Sequence, residues 1–221
     1  MQGWLALLGG GEFSFGETEA ADAAWLAKAA PGPVGFVPTA SGSVDYGVHF
    51  TTYLEERFER QVEVVPVYRG RDARRGKNAE RLCSLPAIYL GGGVADHFLE
   101  TWAGSPAAEA LGERLETGGV VVAIAAAAQA LGKAVRGLTG GGLLTGLGWL
   151  GDIAVETNFS PAHDRRARGL AAAPGVDGVF GLPAGSALLL GPGGAREIVG
   201  TVFRLDDAEG EWTVVTGDPD N

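Results

Sequence analysis

The chain has 221 residues, 46% of them hydrophobic, and a formal net charge of −10. That length and apolar fraction support one globular core, and the acidic balance, with no Lys/Arg run longer than two residues, argues against nucleic acid and anionic membrane as partners. Cys83 is the single cysteine. It leaves no disulfide framework and no thiolate metal cluster, which fits a reducing compartment; with no signal-peptide pattern and no bilayer-length apolar run, a cytoplasmic location is expected.

Trp4 to Leu8 reads as a short strand ending in Gly9-Gly10-Gly11. Glu17 to Ala30 reads as a helix stopped by Pro31-Gly32-Pro33. Val34 to Val37 is a buried strand that ends at Pro38-Thr39-Ala40-Ser41-Gly42-Ser43. Asp45 to Gln61 sets Phe50, Tyr53, Leu54 and Phe58 on one helical side. Val62 to Val67 is a third strand, Arg69 to Lys77 a basic loop, and Asn78 to Ser84 a short helix. Ala87 to Leu90 is a fourth strand, closed by Gly91-Gly92-Gly93, with helices near 95–102 and 106–117 after it.

The run Gly118 to Gly132 then passes from β-branched residues (Val120, Val121, Val122) to small helix formers (Ala126, Ala127, Ala128). A buried strand entering a tightly packed helix is the setting of a nucleophile elbow, whose sharp turn exposes one side chain at the sheet edge. Such an elbow needs Ser or Cys at its tip, and this stretch has neither. Gly137 to Gly151 is a Gly/Leu-rich connection expected to lie against other parts of the chain. Ile153 to Glu156 is a strand and Ala162 to Ala173 a helix. Strand-like runs at 178–180, 187–190 and 197–205 follow, with 212–215 as an edge hairpin.

Strands alternating with helices predict an α/β, three-layer, flavodoxin-like fold: a mostly parallel sheet with helices on both faces. Ligands in such folds bind at the carboxyl ends of strands. Four loops belong there, 9–16, 38–43, 91–96 and 125–128, and they should converge on one crevice. The glycines at 9–16 do not form a nucleotide fingerprint: position 14 is Ser, and no Gly-Lys-Ser/Thr follows.

Six segments, in order, resemble one family. They are Leu7 to Gly11, Val37 to Ser41, Ile88 to Gly93, the Gly119–Gly132 elbow, Thr157-Asn158-Phe159-Ser160 with Arg165 and Arg168, and Gly181 to Leu188. The chain is similar to the dipeptidase E and cyanophycinase family of serine peptidases, whose fold is that of class I glutamine amidotransferases. The resemblance implies a single peptidase-like domain over residues 1–216, with 217–221 a flexible tail. It also implies that the positions of the chemistry are vacant. The family elbow Gly-Thr-Ser-Ala-Gly-Ala falls on residues 123–128, which puts Ala125 at the nucleophile position. The family's His-Phe-Ser falls on Asn158-Phe159-Ser160, and its acidic segment on Pro183 and Ala184. A methyl group cannot attack a carbonyl, and Asn cannot serve as a general base near neutral pH. What the resemblance leaves is backbone N–H near Gly92, Gly93 and Ala126, with Arg165 and Arg168 as partners for an acidic group.

Two functions compete. In the first, the chain is a non-catalytic homologue that binds an acidic peptide or small carboxylate. In the second, it is a hydrolase with a relocated nucleophile: Ser160 with His163 and Asp164 beside it, or Ser41 or Ser43 with His49 or His97 as a distant partner. The bland reading of Ser160 is a helix N-cap with Pro161 at the first helical position. That of Cys83 is a small buried hydrophobe. No metal and no organic cofactor are expected; a homodimer is compatible with the family.

Overall fold

The computed structural model describes residues 1–138 and 142–217. The chain first lays down five parallel strands: β1 (Trp4–Leu8), β2 (Val34–Val37), β3 (Val62–Val64), β4 (Ala87–Leu90) and β5 (Val120–Ile124). An antiparallel ribbon of β6 (Ala134–Arg136) and β7 (Leu143–Thr145) follows. Next come β8 (Ile153–Thr157) and β9 (Gly178–Leu182), paired in parallel. Then β10 (Ala187–Leu190) returns to the central sheet antiparallel to β1, and β11 (Arg196–Val199) pairs antiparallel with β10 at the sheet edge. Finally β12 (Val202–Leu205) and β13 (Thr213–Val215) complete a second sheet. The orders are β11-β10-β1-β5-β4-β2-β3 and β13-β12-β9-β8.

Alternation along β1 builds the layers. Ala6 and Leu8 face one side with Phe36, Tyr89 and Val122, under Trp25 of α1 (Glu19–Leu26) and Phe50, Tyr53 and Leu54 of α2 (Val44–Phe58). Leu5 and Leu7 face the other side with Ile88, Leu90 and Val121. There they meet Leu82 of α4 (Gly76–Ser84), Phe98 and Trp102 of α5 (Ala95–Trp102), Leu111 of α6 (Pro106–Glu116) and Leu131 of α7 (Ala126–Leu131). The strand β5 sits between β1 and β4 and is buried on both faces, so its sequence is an unbroken apolar run rather than an alternating one. Each fully buried Val there contributes about 1.5–3 kcal/mol.

The expected fold is observed, with additions that the sequence did not show. The second sheet has its own small core, Phe159, Val179 and Leu205 packed on Ala167 and Leu170 of α8 (Arg165–Ala171). The run 197–205 is two strands rather than one, and they belong to different sheets. The basic loop at 69–77 contains a helical turn, α3 (Gly70–Ala73). It forms because the buried Asp72 carboxylate accepts the N–H groups of Tyr68 and Arg69 at 3.3 and 3.2 Å. The connection after α7 does lie against the chain, with Leu147 and Trp149 N–H donating to Ala130 and Leu131 carbonyls. The expectations for 139–141 and 218–221 lie outside the described residues. Among the described residues, no helix is long and apolar enough to cross a membrane.

Candidate functional site

The carboxyl end of β1 gathers three separate segments. Leu8 O accepts the Ala125 N–H at 3.0 Å, Gly9 O the Asn158 N–H at 2.7 Å, and Gly10 O the Gly185 N–H at 3.0 Å. The elbow, the end of β8 and the Pro183–Gly185 turn therefore hang on three consecutive carbonyls. The glycines permit this approach: a Cβ on Gly9 would stand 2.0 Å from Pro183 O, and one on Gly10 2.5 Å from Asn158 Oδ1. The triple glycine after β1 is thus a docking point for backbone, not a phosphate loop.

Ala125 has φ 51° and ψ −118°, a conformation that L-residues rarely adopt and that costs of order 1–3 kcal/mol. The neighbouring backbone holds it there, with its N–H on Leu8 O and its carbonyl accepting from Gln129 N–H at 3.0 Å. So the turn of a nucleophile elbow is present, and its tip is a half-buried methyl group. Asn158 also has positive φ, 49°, and is exposed. Pro183 is half-buried and Ala184 exposed, and neither can ionise.

Gly92 and Ala125 are neighbours: a methyl added to Gly92 would lie 3.4 Å from the Ala125 Cβ. The Gly92 N–H donates to the Tyr46 hydroxyl at 3.4 Å, so an internal oxygen already stands before that donor. Burial pushes the Tyr46 phenol up to about 12, against the opposing pull of the Gly92 bond. Gly93, at φ 148°, lets the 91–94 loop close on 38–43; a Cβ there would fall 2.2 Å from the Ala40 carbonyl. Thr39 is structural in that loop, donating to Val67 O at 2.5 Å and accepting from Trp102 Nε1 at 3.0 Å. Gly93 and Ala126 line one 230 Å³ cavity together with Glu156, Gln129, Arg136 and Arg166.

Ser160, His163 and Arg165 share a larger cavity of 750 Å³ with Asn158, Gln129 and Glu156. No side-chain hydrogen bond joins Ser160 to His163; the contact is His163 N–H to Ser160 O at 2.9 Å. Ser160 occupies an N-cap position, but of a single 3₁₀ turn (Pro161–His163), and its hydroxyl makes no cap bond. The α-helix starts later than the sequence suggests because Asp164 is held sideways, accepting from Arg168 Nε at 2.7 Å and Trp212 Nε1 at 2.9 Å. Arg168 donates onward to Ala208 O and Gly210 O at 2.7 and 3.0 Å, clamping the loop before β13. It lines neither of these cavities, whereas Arg166 lines both.

The other serines are occupied locally. Ser41 Oγ donates to Pro38 O at 3.0 Å, and Ser43 Oγ caps α2 by accepting Tyr46 N–H at 3.4 Å. They share a 610 Å³ cavity with His49, with no hydrogen bond to it. His97 instead contacts Tyr68 O through Nε2 at 2.9 Å. Cys83 points its thiol at Glu113 (3.5 Å), and burial together with that carboxylate raises its pKa, the reverse of activation. Loops 91–96 and 125–128 share the 230 Å³ cavity, and loops 9–16 and 38–43 share the 610 Å³ one.

Sequence reasoning missed Glu156, Gln129, Arg136, Arg166 and Tyr46. Glu156 is only 8% exposed, near the end of β8 after the apolar Ile153-Ala154-Val155. Burial raises its pKa, and Arg166 and Arg136 pull it back through space. Gln129, on α7, donates to Thr157 Oγ1 at 2.9 Å and so fixes its amide beside Glu156. A charged residue inside the run Ile153-Ala154-Val155-Glu156 was the available signal.

The family model for peptidase family S51 matches residues 5–141, a stretch that contains the elbow and ends before Asn158. The crystal structure of a peptidase from an acI-B1 Actinobacterium is similar, at 21% identity and a TM-score of 0.74, covering 97% of this chain and 98% of that one. A peptidase E candidate from Listeria monocytogenes EGD-e is similar at 17% identity and a TM-score of 0.65, over 93% of this chain and 100% of that one. No curated protein matches the chain. With more than half of its length matched by the family model, including the strand-to-helix elbow at Ala125, the chain belongs to peptidase family S51.

Proposed function

We propose that this protein keeps the binding architecture of peptidase family S51 without the family's acyl-transfer chemistry, and works as a receptor for a small carboxylate or acidic peptide. The observation that carries the reading is Ala125. Its backbone holds the strained elbow turn, yet the side chain there is a methyl group. Asn158 docks on Gly9 beside it and offers hydrogen bonds but no basic nitrogen. Arg165 and Arg166, both exposed at the mouth of the 750 Å³ cavity, supply positive charge on a chain whose net charge is −10. No metal or organic cofactor enters this reading.

A second reading, a relocated Ser160–His163 pair, has one observation in its favour: both residues line that same cavity. It lacks the nucleophile–base hydrogen bond that activation requires, and Asp164 is engaged by Trp212 and Arg168 rather than by His163. The test is incubation of the purified protein with aspartyl and non-acidic dipeptides, followed by mass spectrometry of the products and thermal-shift measurement. The proposal expects intact dipeptides and a rise in melting temperature with acidic ones. Turnover that disappears in Ser160→Ala would overturn it in favour of the second reading.

A further inference from the structure

Glu156 is a carboxylate in an unusual situation. It is 8% exposed, yet it lines both the 230 Å³ and the 750 Å³ cavities. Among the described residues its interactions are the through-space attractions of Arg166 and Arg136, with no hydrogen bond to either. Its carboxylate oxygens are not sealed off: they open into these two cavities, where a donor from outside can reach them. The chain's own arginines offset its burial only in part, through space. Arg166 and Arg136 are exposed, and Arg136 Nη1 lies against α8, 3.5 Å from where a methyl on Gly169 would be. Gln129 is held in place by Thr157 Oγ1 and faces the same two cavities. The result is a small recess with one buried negative group, one fixed amide, and two positive groups at its mouth.

We infer that this recess is a receptor site for a free α-amino acid, with the ammonium group on Glu156 and the carboxylate on Arg166 and Arg136. This ligand class deepens the binding reading of the same site, on which it rests. A simple dicarboxylate would satisfy the arginines but leave Glu156 facing like charge. A simple cation would satisfy Glu156 but be repelled by the arginines. A zwitterion meets all three groups, and the 230 Å³ recess has room for one. The adjoining 750 Å³ cavity leaves room for the amino acid's side chain. The raised pKa of Glu156 fits a carboxylate waiting for a cation.

The experiment is isothermal titration calorimetry, backed by thermal shift, with the standard L-amino acids as probes. Each amino acid that binds is compared with its desamino acid (succinate for aspartate, propionate for alanine) and with its decarboxylated amine. At least one amino acid should bind, and removal of either charged group should weaken it about tenfold or more, the equivalent of one lost charge-assisted hydrogen bond. Glu156→Gln should erase the preference for the amino acid over its desamino analogue. Arg166→Ala, at an exposed position that folding tolerates, should erase the preference over the amine. The inference is overturned if no amino acid binds, if succinate binds as well as aspartate, or if Glu156→Gln keeps the preference. Tight succinate binding without an amine preference would leave the carboxylate-receptor reading standing. Dipeptide hydrolysis would remove that reading whatever the amino acid titrations show.

Discussion

Ala125 and Asn158 are docked on neighbouring carbonyls of one strand end, Leu8 O at 3.0 Å and Gly9 O at 2.7 Å, and both have positive φ. Two residues far apart in sequence are thus fixed side by side by the backbone, whatever their side chains. The strain at Ala125 is held by main-chain hydrogen bonds, which do not depend on catalysis.

The strained backbone at Ala125 predicts a simple stabilisation. Ala125→Gly removes the Cβ from a backbone that disfavours it, at the cost of greater freedom in the unfolded chain. The net gain should be about 1 kcal/mol, or roughly 2–4 °C in melting temperature for a chain of this size. Differential scanning calorimetry of the variant checks it; a lower melting temperature would mean that the turn is not strained in the folded protein.

Glu156 predicts a pH-dependent penalty. Burial raises its folded-state pKa above the ordinary 4.5, despite Arg166 and Arg136. Below 4.5 both folded and unfolded chains hold the proton, and there is no penalty. As pH rises from 4.5 through the raised folded value, the unfolded chain releases its proton first and stability is lost. Glu156→Gln should therefore be more stable than wild type at neutral pH, and the advantage should vanish in acid. Urea midpoints measured from pH 4 to 8 on both proteins test the sign.

Asp164 predicts the opposite slope. The Trp212 hydrogen bond, followed by Arg168, holds its carboxyl below the usual 3.8. Its contribution is complete above 3.8 and is lost as pH falls through the lowered folded value. Arg168→Ala breaks the same clamp at Asp164, Ala208 and Gly210, and should cost about 1–2 kcal/mol. Because Arg168 lies outside the cavity linings around Glu156, ligand-induced shifts should be unchanged in that variant; a loss of ligand response would give Arg168 a binding role after all.

Much of this architecture is legible in the sequence. The apolar run Val120–Ile124 announces a strand buried on both faces, and the alanines after it announce close helix packing. The absence of Ser or Cys at residues 123–128 is legible too. What the sequence does not show is how side chains are spent. Arg168 looks like a ligand residue because it follows the Asn158-Phe159-Ser160 segment, but Asp164 and two distant carbonyls hold it. Arg166, two positions earlier, lines the cavities instead. Tyr46 falls inside the helix expected at 45–61 with nothing to single it out, and only the folded loop brings its hydroxyl to the Gly92 N–H. The split of 197–205 between two sheets is set by tertiary pairing that no local pattern encodes.

Central to the proposed function is an elbow turn kept without a nucleophile at Ala125. It is tested most directly by intact-mass spectrometry after treatment with a reactive fluorophosphonate, comparing wild type with Ala125→Ser/Asn158→His. The account predicts no adduct on the wild-type protein. It predicts a single adduct, mapped to residue 125, on the double variant, because the backbone already holds both positions in place. A stoichiometric adduct on the wild-type chain at Ser160, Ser41 or Ser43 would contradict it and place an activated serine elsewhere in the site.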